Sequence, residues 1–72
     1  MKTQKENTSK KMSEGKRYSF KGKDFDLGEF HVFTIDRKKN EIYVKFLKGI
    51  FLGEHHGYVL SSLENNPYIQ PV

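Results

Sequence analysis

The sequence has no cysteine and no tryptophan, and only two of its 72 residues are proline. Without cysteine there is neither a disulfide to staple the fold nor a thiolate to hold a structural metal. Long apolar runs are also missing: none approaches the roughly 20 residues that a membrane-spanning helix needs. Met1–Lys11 lacks the apolar stretch that centres a secretory signal, so no membrane partner and a cytoplasmic location are expected.

The fold must therefore hold together by side-chain packing. Six Phe and four Tyr make up 14% of the chain, and such rings bury a large area each. A domain this small sits near the lower limit for an unassisted core and leaves little room for a deep substrate cleft. No Ser/His/Asp constellation, Gly-rich phosphate loop or paired carboxylates in a cleft can be traced, so the chain is not expected to be an enzyme.

The net charge is +4 and the isoelectric point about 9.4. Residues 1–17 hold six basic residues against two acidic ones, whereas residues 18–72 hold seven of each. The excess charge thus belongs to a polar N-terminal stretch, and every aromatic ring belongs to a neutral remainder. Met1–Gly15 has only Met1 and Met12 as sizeable apolar groups, too few to offset ordering entropy. The expected division is a disordered basic tail over residues 1–16 and a small β-barrel domain over residues 17–72. Eleven Lys against two Arg, with many Asn, Ile, Phe and Tyr, fits AT-rich coding of the low-GC bacterial or phage kind.

Alternation of apolar and polar residues marks short strands at Tyr18–Lys21 and Asp24–Leu27, the latter broken by Gly28. The strongest element is Glu29–Asp36, a four-residue polar linker with Asn40 suited to positive φ, then Glu41–Lys48. This pattern is an antiparallel hairpin. Opposing Asp36 to Glu41 pairs Ile35 with Ile42, Thr34 with Tyr43 and Phe33 with Val44. It places Phe33, Ile35, Ile42, Val44 and Phe46 on the core face, with His31 at its end. Phe30, Val32, Thr34, Tyr43, Lys45 and Leu47 fall on the other. After a brief apolar run at Ile50–Leu52 and a polar tip at Glu54–Gly57, Tyr58–Leu60 reads as a strand. Ser61–Asn66 reads as one helical turn stopped by Pro67, and Tyr68–Gln70 as a closing strand that Pro71 confines to a sheet edge.

This order of elements over Arg17–Val72 resembles the SH3-like small barrels, including modules of the KOW and Tudor type. The expected fold is all-β: a small SH3-like barrel or half-barrel of about five antiparallel strands with one short helical turn.

Two functions compete on these residues. The apolar strip of Phe30, Val32, Tyr43 and Leu47, with Lys45 among them, suits a protein-binding module, a regulator or inhibitor of a larger partner or a homodimer. The alternative is a nucleic-acid-binding module that uses Lys10, Lys11, Lys16 and Arg17 of the tail with Arg37, Lys38 and Lys39 of the hairpin tip, and Tyr43 stacking on a base. The neutral folded part favours the first, since a mobile basic arm alone binds nucleic acid weakly and with steep salt dependence. His31, His55 and His56 with Glu54 do not have metal-ligand spacing, because adjacent strand residues point to opposite faces. No metal or other cofactor is expected.

Overall fold

A computed structural model of the protein describes residues 10–72. Residues 1–9 of the expected tail lie outside the described residues. Five strands, β1 (Arg17–Lys21), β2 (Asp26–Asp36), β3 (Glu41–Lys48), β4 (His55–Val59) and β5 (Ile69–Pro71), surround one short helix, α1 (Leu60–Glu64). They form an antiparallel open sheet in the order β4-β3-β2-β1-β5, with β4 and β5 as its edges. Pro71, which cannot donate to a ladder, lies on one of those edges.

Leu60 and Leu63, three positions apart on α1, are buried together against the sheet. The helix begins where the β2–β3 turn reaches it. Asn40, at φ 57°, receives the Leu60 amide on its carbonyl at 2.9 Å and the Ser61 amide on its Oδ1 at 2.9 Å. Two otherwise orphaned helix donors are thus satisfied from the hairpin.

The core faces α1. Phe30, Val32, Ile42, Val44, Phe46 and Ile69 are fully buried, and Tyr18, Leu60 and Leu63 nearly so. Rings run through it in contact, Tyr18 to Phe30 at 5.9 Å, Phe30 to Phe46 at 5.5 Å and Phe46 to Phe51 at 5.2 Å. At one end β2 and β3 approach so closely that Gly28, at φ 99° inside β2, has no room for a methyl beside the Lys48 carbonyl. Gly28 therefore does not end a strand as its sequence context suggests; it lets one continuous β2 pass.

Three expectations need correction. First, the hairpin keeps the expected pairing from its turn to Thr34–Tyr43 and again at Glu29–Lys48, but between them, from Val32 to Phe30, the register is shifted by one residue. Phe33 is the extra residue of a β-bulge, so Val32 pairs with Val44 and Phe30 with Phe46. Phe30 and Val32, expected outside, become core, whereas Phe33 is 50% exposed and His31 lies with it on the outer face. Secondly, His55-His56-Gly57 belongs to β4 rather than to a loop tip, and the helix starts at Leu60.

Thirdly, residues 10–16, expected in the tail, pack on the domain. Met12 is only 2% exposed, a burial that contributes on the order of 2 kcal/mol. Its amide donates to Glu64 Oε2 at 2.7 Å, the Lys10 amide to the Glu64 carbonyl at 2.8 Å, and Gly15 and Lys16 bond the Val32 backbone at 2.9 Å. One apolar anchor with several tethers offsets an ordering cost that composition alone leaves uncompensated.

Candidate functional site

The bulge decides what the uncovered face of the sheet presents. Directly paired residues share a face, and three pairings align: Arg17 with His31, His31 with Lys45, and Lys45 with His55. Four basic residues therefore form one row across β1, β2, β3 and β4, spanning about 14 Å at the usual strand spacing. Phe33 stands beside it, its ring stacked on His55 at 5.2 Å and 26° and edge-on to His31 at 5.8 Å and 87°.

The next rung carries Tyr43, opposite Gly57 and 44% exposed. A Cβ on Gly57 would lie 2.9 Å from the Tyr43 ring, so the ring leans over bare β4 backbone and is held there. The Tyr43 hydroxyl donates to Glu41 at 3.0 Å. That hydrogen bond, with the carboxylate charge behind it, raises the phenol pKa. Asp36, paired with Glu41, lies on the same face, as does Glu29, 3.4 Å from the Lys48 ammonium.

Of the residues expected to form a partner-binding strip, the outer face brings together Tyr43, Lys45 and Leu47. Phe30 and Val32 are lost to the core for the reason given above. Of the cationic set, Arg37 is committed within the fold: its guanidinium binds Glu64 at 2.9 and 3.2 Å and the Met12 carbonyl at 3.1 Å. Those hydrogen bonds hold the Glu64 carboxyl below the usual range, reinforced by the Met12 amide. Lys10 is tied to the Asn66 carbonyl at 2.7 Å, and its partial burial lowers its pKa. Lys38 and Lys39 stand exposed in the hairpin turn. Lys11, Lys16 and Arg17 line one shallow groove with Pro71 and Val72, so Arg17 belongs both to that groove and to the basic row.

The sequence reading missed Phe33 and His31 as surface residues, and put His55 in a loop tip rather than on the sheet face. Neither Gly nor Pro marks the bulge, and the alternation of β2 is equally regular on either side of it. The only signal available was the poor match of Lys45 opposite Val32 in the unshifted register.

On the opposite edge of the fold, the β3–β4 turn exposes Ile50 and Leu52 (71% and 65%) while Phe51 turns inward. His56 also faces inward, bonded to Glu54 at 2.8 Å and to the Tyr58 hydroxyl at 3.1 Å. Among the described residues no three His, Cys, Asp or Glu side chains gather as a metal site, and no helix is long and apolar enough to cross a membrane. Compared with protein-family models, curated proteins and solved structures, the chain has no significant match in any.

Proposed function

We propose that this protein is a small, non-enzymatic docking module of the SH3-like type that holds a macromolecular partner against the uncovered face of its sheet. The observation that carries this reading is the pair of half-exposed rings, Phe33 and Tyr43, one rung apart on that face. Exposed aromatics held in place by their own neighbours contribute contact area at low entropic cost when a partner covers them. The SH3-like assignment is supported by the element order, in which β1 pairs with both β2 and β5 and a helical turn separates β4 from β5.

A non-catalytic role fits the way the ionisable groups are used. Glu64, Lys10 and Tyr58, whose pKa values are shifted, are engaged in contacts within the fold or packed at its core. The outer face carries hollows open to solvent, one lined by Ser19, Asp26, Glu29 and Lys48 and one by Glu41, Tyr43 and Gly57. It suits a large partner better than a small substrate.

The test is site-specific photo-crosslinking in cells of the source, with benzoylphenylalanine at Phe33 or, as control, at exposed Ser62. Adducts formed from position 33 and not from position 62 are expected, and protease and nuclease digestion sorts them by class. Equal adduct yields from the two positions would sink the docking reading.

A further inference from the structure

Resting on that docking reading, we propose that the partner is single-stranded nucleic acid, its phosphates lying along the Arg17–His31–Lys45–His55 row and its bases stacking on Phe33 and Tyr43. The row is the unusual element. Arg17 and Lys45 stand on either side of His31 with His55 beyond, and no carboxylate lies in register with them across β1 to β4. The carboxylates of the same face lie on other rungs, Glu29 beside Lys48, Glu41 accepting from the Tyr43 hydroxyl, and Asp36 paired with Glu41 and accepting from the Lys39 amide. A polyanion laid across the strands would complete the arrangement.

The row does not stop at the sheet. At Arg17 it enters the groove lined by Lys11 and Lys16, so a basic path continues from β4 to the β5 edge. The row and the groove together gather Lys11, Lys16, Arg17 and Lys45 with no acidic side chain in either, while Glu29, Asp36 and Glu41 lie on other rungs of the face.

Charge alone would accept any polyanion, and the rings distinguish among them. Phe33 is presented by the bulge next to the row, buttressed by both histidines, and Tyr43 lies one rung away over Gly57. Aromatic platforms interleaved with a basic track are how single strands are held without sequence preference. A duplex keeps its base faces stacked inside, where Phe33 and Tyr43 have nothing to grip. An acidic peptide has no base to offer them.

The histidines add a support for the ring that a lysine patch lacks. His31 faces Arg17 and Lys45 across the sheet with Phe33 against its edge; His55 faces Lys45 and stacks on Phe33, while neighbouring Glu54 is bonded to His56. Both imidazoles thus hold the Phe33 ring in place beside the row.

The experiment is fluorescence anisotropy with the full chain and a labelled oligothymidine of about 12 nucleotides, with a duplex of equal length and an oligoglutamate as competitors. The single strand is expected to bind more tightly than either competitor. Phe33→Ala weakens it about tenfold with the salt slope unchanged. Lys45→Ala weakens it and lowers the salt slope by about one. Replacing His31 and His55 by Ala, which removes both rings packed against Phe33, also weakens binding, and Lys38→Ala with Lys39→Ala weakens it less.

Affinity no tighter than about 100 μM at physiological salt, equal competition by oligoglutamate, or binding indifferent to Phe33 and Lys45 would overturn the proposal. Circular dichroism confirms that each variant is folded. If the oligonucleotide fails while crosslinks at position 33 are protein adducts, this inference falls and the docking reading survives.

Discussion

Asn40 in the β2–β3 turn caps α1 through Ser61: its Oδ1 accepts the Ser61 amide at 2.9 Å and its Nδ2 donates to the Ser61 hydroxyl at 3.0 Å. The same residue adopts φ 57°, a conformation that Asn tolerates and most side chains resist. The two roles can be separated. Asn40→Gly keeps the turn and loses the cap, and is expected to cost about 1 kcal/mol. Asn40→Ala loses both and is expected to cost about 2 kcal/mol. Thermal melts of the two variants, each kcal/mol shifting the midpoint by roughly 4–8 °C, check the order.

Phe30 and Phe33 share a strand and a residue type but lie on opposite sides of the bulge. Phe30→Ala empties a fully buried site and is expected to destabilise by about 3–5 kcal/mol. Phe33→Ala, at a half-exposed site, is expected to cost under about 1 kcal/mol. Urea titrations of both would reveal an unshifted register at once, since it predicts the reverse order.

Met12 is a core residue outside any strand. Met12→Ala is expected to destabilise by about 2 kcal/mol, the low end for a core methionine because its backbone is held by tethers rather than by a ladder. Deleting residues 1–14 removes the tethers as well and should cost more. A melting midpoint unchanged by the deletion would contradict the docked segment.

Glu64 should set part of the acid limit of the fold. Its carboxyl is held below the usual range, chiefly by hydrogen bonds from Arg37. A carboxylate with a depressed folded pKa stabilises fully above its unfolded value, near 4.3, and the contribution is lost as pH falls through the folded value. Glu64→Gln is therefore expected to be less stable than the parent at neutral pH, with a gap that closes in acid. Denaturation midpoints across that range would show parallel curves if the pair were unimportant.

Much of the fold was legible because local signals agreed with it. Asp36 opposite Glu41, positive φ at Asn40, the helical turn before Pro67 and the edge strand at Pro71 all follow from residue chemistry near each position. What was not legible depends on partners distant in sequence. Nothing near Phe33 announces a bulge; it arises because β2 must satisfy β3 on one side and Lys16, Gly15 and Glu14 on the other. Met12 reads as a stray methionine until Glu64 is known to lie beside it. The candidate face inherited the first of these errors, since one shifted residue exchanged Phe30 and Val32 for Phe33 and His31.

The clasp between Met12 and Glu64 joins residues 52 positions apart, and β1 likewise waits for β5. At a translation rate of about 5–20 residues per second, that interval lasts roughly 3–10 seconds. During it β1 can pair with β2 alone, leaving its other edge open, and Met12 and the unsealed core rest against water. Folding is thus gated by the emergence of the last strand. A chain cut before Ile69 would keep the pairings that align the basic row across β1 to β4 but leave the β1 edge open and Ile69 missing from the core, which makes limited proteolysis a direct readout of whether this fold is closed.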